Sequence, residues 1–160
     1  MAVHTGDFVP DLISFGAPSL PAKLPDTRGS WTVLFFFPKG NHPHCVLESR
    51  RFQQSIPEFK QLDVQVIGVS VDSSADQQKL WNFCTLSFPL VSDARHQISK
   101  YYGVLDTATV ESEQIAYARR ETFLIGPDQC VVHHWKEVDP NTHASEVLAF
   151  LQEKLGMLSN

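Results

Sequence analysis

Long apolar runs, excess positive charge and cysteine are all scarce in this chain of 160 residues. No apolar stretch approaches the ~20 residues that a membrane-spanning helix needs, so we expect no membrane segment. The N-terminal residues also lack the basic start and apolar run of a signal peptide. The net charge of −5 gives no reason to expect a nucleic-acid or anionic-membrane partner. Three cysteines without an export signal argue against a disulfide framework, which predicts reduced thiols in a cytoplasmic protein.

What the chain does contain is enough apolar material for one core. Apolar residues make up 42% and charged residues 19%, which is typical of a globular protein rather than a disordered one. A chain of this length usually forms one domain, and no internal repeat or low-complexity tract divides it. We therefore predict a single domain over residues 1–160, and we expect it to be a monomer.

The most informative stretch is an apolar run followed by two prolines and a cysteine. Residues 32–37 are almost wholly apolar and too few for a helix, which predicts a strand buried on both faces and ended by Pro38. Pro43 suits the first position of a helix, with His42 as its N-cap. Cys45 then falls in the first turn, where free backbone N–H groups and the helix dipole favour the thiolate.

Periodicity and turn residues predict the rest of the chain. A helix that Pro57 should break or kink leads to a buried strand at 64–71, which should pair in parallel with 32–37. Residues 104–115 show no period and are interpreted as a loop. The other predicted elements are short strands or a hairpin over 6–31, a helix opened by a capping box at Ser74–Gln77, an extended piece at 88–91, a helix capped by Ser92–Asp93 that runs through Tyr101 or Tyr102 and stops at Gly103, a hairpin around 126–129, and a helix from Asp139 to Gly156.

This order of elements resembles a thioredoxin-like α/β fold. In such a fold a central mixed β-sheet is flanked by helices, and here a strand or hairpin would extend it at the N-terminus. The carboxyl end of the central strand, directly before Cys45, is where open α/β sheets place their ligand sites.

Six short motifs follow one another along nearly the whole chain. They are Gly6–Asp11, Phe36–Lys39 with Pro43–Cys45 and Glu48, Ile67–Ser73, Phe88–Asp93, Tyr102–Val104 and Arg120–Ile125. Their residues and spacing resemble a peroxiredoxin, and within that family the bacterioferritin-comigratory (Q-type) subgroup. Six pieces in the right order make a chance resemblance a poor explanation.

The resemblance implies a thiol-dependent peroxidase that reduces hydrogen peroxide and organic hydroperoxides. Cys45 matches the peroxidatic cysteine, which cycles through a sulfenic acid, Arg120 matches the arginine beside it, and Pro38 matches the proline that shields the pocket. No organic cofactor or metal is implied, and the electrons would come from thioredoxin, glutaredoxin or a small thiol. Lowering a thiol pKa from ~8.5 to ~6 takes ~3.4 kcal/mol, whereas a helix terminus supplies ~0.3–1 kcal/mol, so Arg120 or strong hydrogen bonds must supply the rest.

Two departures from the family pattern concern reactivity and reduction. His42 stands where the family has a threonine whose hydroxyl bonds the thiolate and the peroxide; an imidazole can replace that role, but it is bulkier and titratable. Many relatives carry a resolving cysteine five residues after the first, where this chain has Arg50. Cys84, one helical turn beyond the site seen in other relatives, is the candidate resolving cysteine; its alternative interpretation is a small apolar residue of a helix.

Other interpretations remain open at this stage. A redox-sensing or binding protein would keep the fold and a reactive Cys45 but turn over poorly. The sequence His42-Pro43-His44-Cys45, with His133 and His134, also permits a metal site, although neighbouring residues on a strand face opposite ways. Glu48 either orients Arg120 or Arg51 or is a solvated helix charge. Cys130 follows a turn and is interpreted as incidental.

Overall fold

The computed structural model describes residues 2–158, and for residues 157 and 158 it describes the backbone alone. Over this range the strands are β1 (Ser19–Leu20), β2 (Trp31–Phe36), β3 (Val64–Ser70), β4 (Leu90–Ser92), β5 (Leu105–Val110), β6 (Glu113–Ala118), β7 (Thr122–Ile125) and β8 (Val131–Trp135). The helices are α1 (Pro43–Gln61), α2 (Ser74–Cys84), α3 (Gln97–Tyr102) and α4 (His143–Leu158), with a 3₁₀ helix at Leu12–Phe15.

A six-stranded mixed sheet forms the centre of the molecule. Its strand order is β1-β4-β3-β2-β7-β8, and β5 and β6 form a separate two-stranded sheet. β2, β3 and β4 run parallel, as predicted for β2 and β3, whereas β1, β7 and β8 pair antiparallel to their neighbours. The prediction of a mixed sheet flanked by helices is confirmed. Of the two alternatives for the N-terminal segment, the structure shows a short strand, β1, which pairs with β4.

The central strand β2 separates two hydrophobic clusters. Leu34 and Phe36 point to one cluster, and Phe35 points to the other, because side chains alternate along a strand. Cys45 belongs to the same cluster as Phe35, together with the buried faces of α1 and α4. The reactive sulfur predicted from the sequence therefore lies against the core, on one face of the sheet.

The start of α1 is as predicted, but its continuation is not. His42 is the N-cap and Pro43 occupies the first turn, whereas Pro57 lies inside a helix that continues to Gln61. Of the predicted break or kink, the break was wrong, because Ile56 and Phe59, on either side of the proline, are both buried. Burying each such side chain is worth about 1.5–3 kcal/mol, which offsets the about 3 kcal/mol cost of one proline in a helix.

The segment interpreted as a loop, 104–115, instead forms most of a hairpin. β5 and β6 pair antiparallel, and the two residues between them, Glu111 and Ser112, have positive φ angles of 51° and 68°. Two-residue turns of this kind normally carry Asn-Gly or Asp-Gly, so the usual sequence signal is missing. Ala118 is the one buried residue of the two strands, so neither strand needs a regular apolar pattern.

The starts of three later helices differ from the prediction. The helix expected after Ser92 and Asp93 begins only at Gln97, and the Asp93 carboxylate accepts from the N–H groups of Ile98 and Ser99 in its first turn. Ser73, not Ser74, caps α2 by accepting a hydrogen bond from the N–H of Asp76. Gln77, expected in a capping box, is buried instead and donates to the Ser70 hydroxyl and the Val91 carbonyl. The helix expected from Asp139 begins at His143, because residues 139–142 form a turn before it, and it runs beyond Gly156 to Leu158.

Candidate active site

Cys45 is placed by the connection between β2 and α1. The chain leaves β2, turns over residues 38–42 and enters α1, in which Cys45 is the third residue. Its own N–H donates to the His42 carbonyl at 3.0 Å, and its side chain is fully buried. The predicted strand, turn and helix start therefore put the sulfur at the carboxyl end of the central strand.

Arg120 lies in the short connection between β6 and β7, and β7 is the neighbour of β2 on the side opposite β3. β7 pairs with β2 in the register Phe35 to Thr122, and the N–H of Phe36 donates to the Glu121 carbonyl at 2.8 Å. This pairing fixes the backbone just before β7, and Nη2 of Arg120, two residues before the strand, donates to Cys45 Sγ at 3.1 Å. The structure thus brings together two of the residues that the sequence singled out, 75 positions apart.

Glu48 holds the other side of the same guanidinium. Arg120 Nη1 donates to Glu48 Oε1 at 2.7 Å, and the carboxylate is fully buried. Among the described residues its second oxygen, Oε2, has no hydrogen-bond partner. Burial raises the pKa of Glu48 to about 7, against the lowering effect of the Arg120 charge and hydrogen bond. Of the interpretations left open above, orientation of Arg120 is the one that the geometry supports, since Arg51 bonds Gln54 and Asn141 instead.

The electrostatics of the sulfur are a balance of opposing effects. Burial raises the pKa of the Cys45 thiol and is the largest cause. The Arg120 charge, a backbone hydrogen bond at Lys39 and the Arg120 hydrogen bond lower it, and the Glu48 charge raises it again. Burial of the sulfur therefore opposes the helix terminus and Arg120, the two groups that were expected to favour the thiolate.

His42 and Pro38 lie close to Cys45 in the sequence, but among the described residues neither side chain hydrogen-bonds its sulfur. The His42 ring is exposed, and its Nδ1 accepts a hydrogen bond of 3.2 Å from the N–H of His44. Among residues 2–158, the His42 ring makes no hydrogen bond to the Cys45 sulfur, and the bond between the two residues is the backbone one at the helix start. Pro38 is half-buried and follows Phe37, whose N–H donates to the Val69 carbonyl at 3.0 Å. The imidazole thus acts as the helix cap in this structure.

An anchor for the loop before Cys45 was not identified from the sequence. Asp72 Oδ2 accepts hydrogen bonds from the N–H of Gly40 at 2.8 Å and from the Ser70 hydroxyl at 2.9 Å. The backbone carbonyl of Asp72 also accepts from Ser92 Oγ at 2.6 Å. One side chain at the end of β3 therefore fixes the turn that carries the chain into α1. In the sequence, the one indication of this role is that Asp72 directly follows the predicted buried strand at 64–71.

A second missed residue is a histidine between the sheet and α4. His143 is buried, and its ring nitrogens lie 2.8 Å from Thr122 Oγ1 and 3.0 Å from Glu146 Oε1. Its ring meets Phe52 and Trp135 edge-on at 5.9 Å and 5.7 Å. Burial lowers the pKa of His143, and the charge of Arg120 acts in the same direction. No motif marks this residue in the sequence, because its neighbours come from distant elements.

The other two cysteines lie in different surroundings. Cys84, the last residue of α2, is buried, and its Sγ lies 4.0 Å from the carbonyl oxygen of Val46. The candidate resolving sulfur therefore contacts the residue next to Cys45, although all three cysteines are free thiols here. Cys130 is half-buried and forms an isolated bridge with Phe8. Among the interactions of the described residues, none connects Cys130 with Cys45 or Arg120.

The metal-site interpretation receives no support from the arrangement of side chains. In the described part of the chain, no group of three or more His, Cys, Asp or Glu residues is placed to hold a metal ion. His134 stacks on Phe123, and His133 packs against Trp135, so neither turns toward the His42 cluster.

The helices that the structure describes also include none with the length and apolar character of a membrane span.

Comparison with known proteins identifies relatives over most of the chain. The model of the AhpC/TSA family matches residues 6–134. Peroxiredoxin Bcp of Xanthomonas campestris pv. campestris is 35% identical over 127 residues, 78% of each chain. A solved cysteine-to-serine variant of Xylella fastidiosa PrxQ is 29% identical with a TM-score of 0.85, covering 97% of this chain and 99% of its own. A structure of the Xanthomonas campestris bacterioferritin comigratory protein, from work on its alkyl peroxide reduction activity, is 28% identical with a TM-score of 0.78, covering 86% and 90%.

Proposed function

The chain belongs to the AhpC/TSA family, whose peroxiredoxins are thiol-dependent peroxidases, and we propose that Cys45 is the residue that attacks the peroxide in this chain. The observation that carries the proposal is the hydrogen bond of 3.1 Å from Arg120 to the Cys45 sulfur. A guanidinium held against a buried thiol favours the thiolate form over the neutral thiol. The guanidinium also lies next to the reacting sulfur, where negative charge builds up during attack on the peroxide.

The proposed reaction begins with the thiolate form of Cys45. Its sulfur attacks one peroxide oxygen in line with the O–O bond, an S–O bond forms, and the O–O bond breaks. The leaving oxygen takes a proton from solvent and departs as water or an alcohol, and Cys45 becomes a sulfenic acid. Arg120 and nearby backbone N–H groups stabilise the charge that builds on the leaving oxygen.

Three neighbours complete the proposed site. Glu48 keeps the guanidinium of Arg120 in place through its 2.7 Å hydrogen bond. We also propose that the peroxide enters beside Pro38, the residue that the family resemblance assigns to shielding the pocket. His42 has its Nδ1 engaged with the N–H of His44, so Nε2 is the ring atom through which it would contact peroxide.

Cys84 is the proposed resolving cysteine. Its sulfur lies 4.0 Å from the backbone of Val46, next to Cys45, which supports a disulfide between the two after oxidation. Disulfide geometry needs Cα atoms within ~7 Å, so the first turn of α1 must unwind for the bond to form. Thioredoxin, glutaredoxin or a small thiol then reduces the disulfide. We propose that the protein works as a single-domain monomer in the cytoplasm, where its three free thiols stay reduced.

Hydrogen peroxide and organic hydroperoxides are the proposed substrates. The relative from Xanthomonas campestris that was studied for alkyl peroxide reduction supports the organic class. Both classes share the O–O bond that the sulfur attacks, and they differ only in the group on the leaving oxygen.

Steady-state consumption of peroxide with thioredoxin or a small thiol tests the proposal. The wild-type protein should turn over many times, and Cys45→Ser should not turn over at all. A second candidate function, redox sensing with poor turnover, is favoured by His42, which stands at the position of the family threonine and whose ring caps α1 through the N–H of His44. A protein that is oxidised once at Cys45 and then fails to cycle with any thiol reductant would support the sensor instead.

A further inference from the structure

Arg50 lies on the same side of α1 as the backbone that Cys84 contacts. Val46 and Arg50 are four residues apart in α1, so they lie one turn apart on one face of the helix. The Cys84 sulfur touches the Val46 carbonyl at 4.0 Å, and α2 ends at this cysteine. The side chain of Arg50 therefore leaves α1 on the face that Cys84 contacts, five residues after Cys45.

An exposed aromatic ring holds that guanidinium in place. The Cζ atom of Arg50 lies 4.9 Å from the centre of the Phe83 ring, whose side chain is 66% exposed. In the part of the chain that the structure describes, no carboxylate forms an ion pair with Arg50. The next residue, Arg51, is instead bonded to Gln54 and Asn141. The charge of Arg50 is thus directed to the end of α2 and is not neutralised there.

The Cys84 thiol responds to this charge. Burial raises the pKa of Cys84, and a hydrogen bond and the charge of Arg50 lower it. Of the influences on the pKa of Cys84, those of Arg50 are the ones that favour ionisation. A cysteine that must attack a sulfenic acid needs the thiolate form, since the thiolate is the nucleophile.

We propose that Arg50 assists the second half-reaction by increasing the fraction of Cys84 present as thiolate, the form that attacks the sulfenic acid on Cys45. This inference rests on the proposed peroxidase function and on resolution by Cys84. In the step, the Cys84 sulfur forms a bond to the Cys45 sulfur, the S–O bond of the sulfenic acid breaks, and hydroxide leaves and is protonated to water. Cys84 is oxidised, Cys45 is reduced from the sulfenic acid, and the product is their disulfide.

Substitution of Arg50 tests the proposal in a Cys130→Ser background. One equivalent of hydrogen peroxide is mixed rapidly with the protein, and quenched samples are analysed by mass spectrometry for Cys45 sulfenic acid and for the disulfide. Arg50→Met removes the charge at similar length, and Arg50→Lys keeps it. Arg51→Met is the matched control, because it removes a neighbouring arginine that does not face Cys84.

Disulfide formation should slow in Arg50→Met and recover in Arg50→Lys. A tenfold loss of thiolate is offset about threefold by the greater nucleophilicity of a more basic thiolate, so we expect a decrease of about three- to tenfold at pH 7. The rise of the rate with pH should also move to higher pH in Arg50→Met. A purely structural effect would lower the rate equally at every pH, and Arg51→Met should match the wild type.

The outcomes separate this inference from the function on which it rests. If the wild type forms no sulfenic acid on Cys45, the peroxidase proposal fails. If the sulfenic acid forms but no Cys45–Cys84 disulfide follows, the peroxidase proposal stands and the role of Arg50 is overturned. If the disulfide forms equally fast, with the same pH profile, in Arg50→Met and the wild type, the role of Arg50 is likewise overturned.

Discussion

Arg120 Nη2 donates a hydrogen bond of 3.1 Å to the sulfur of Cys45, across 75 positions of sequence. The pairing of β7 with β2 fixes the backbone of the arginine, and α1 fixes the cysteine. Because these elements pack on one core, the contact depends on the whole fold and not on a flexible loop. The chemistry of the site should therefore respond to changes in this contact and in the groups that hold it.

The rate of Cys45 oxidation should rise with pH through the neutral range. Burial raises the pKa of the Cys45 thiol, so the thiolate is the minor form at neutral pH and its fraction increases with pH. Well below the pKa, each pH unit increases that fraction, and hence the rate, by about tenfold. Stopped-flow measurement of oxidation by hydrogen peroxide from pH 5.5 to 9 checks this. A rate that is flat above pH 6 would show a sulfur already ionised.

Replacing Glu48 by glutamine should move this pH profile to lower pH. The carboxylate charge raises the pKa of Cys45, and a glutamine removes the charge while its amide oxygen can still accept from Arg120. The alkylation rate of Cys45 by iodoacetamide as a function of pH reports the change. Glu58→Gln is the matched control, since Glu58 is exposed on the same helix. A profile that stays in place, or moves upward, in Glu48→Gln would contradict the assignment.

His143 should make the protein less stable in mildly acidic solution. Burial lowers the pKa of this histidine, so below about pH 6.5 the unfolded chain takes up a proton that the folded chain does not. Stability from this group is therefore full above that pH and falls as the pH drops, by up to about 1.4 kcal/mol per pH unit. Urea unfolding at pH 7 and pH 5 should show a smaller loss in His143→Gln than in the wild type.

Besides His143, other charged and titratable groups also affect how the stability changes with pH. Glu146 and Arg120 both act on the ring, with opposite effects on its protonation. Glu48 contributes in the reverse direction, because its pKa of about 7 lets the folded chain gain a proton as the pH falls. Comparing each variant with the wild type removes that shared contribution. The exposed His4, changed to glutamine, should leave the slope as it is.

Loss of the Asp72 side chain should loosen the loop before Cys45. Asp72→Ala leaves the N–H of Gly40 and the Ser70 hydroxyl without their acceptor, which should cost about 1–3 kcal/mol of unfolding free energy. The oxidation rate of Cys45 should fall as well, because the loop positions the start of α1. Asp76→Ala, which removes an exposed carboxylate paired with Lys79, should cost less than about 1 kcal/mol. Equal losses in the two variants would contradict the role of Asp72.

The sequence predicts the part of this site that local rules determine. Pro43 at the start of α1, His42 as its cap and Cys45 in the first turn all follow from a few neighbouring residues. The resemblance added Arg120, which periodicity alone does not distinguish from any other arginine. The prediction that the 64–71 strand pairs in parallel with β2 was confirmed, because a helical crossover requires it.

What the sequence did not predict depends on contacts between distant elements. The burial of Glu48 and the pocket of His143 arise only when α1, α4 and β7 come together. The same holds for Pro57, whose helix survives because the core covers both sides of it. The raised pKa of Cys45 belongs to this group, since desolvation is set by packing and not by neighbouring residues.

The most direct test of the account is the second-order rate constant for oxidation of Cys45 by hydrogen peroxide, with and without the Arg120 guanidinium. It is measured by stopped flow at pH 7 in a Cys84→Ser, Cys130→Ser background, so that only the first step is observed. Arg120→Met should reduce the rate constant by about a hundredfold or more, since a charged donor at the reacting atoms is lost, and Arg120→Lys should recover part of it. A rate constant in Arg120→Met within about threefold of the parent would contradict the claim that this contact makes Cys45 reactive.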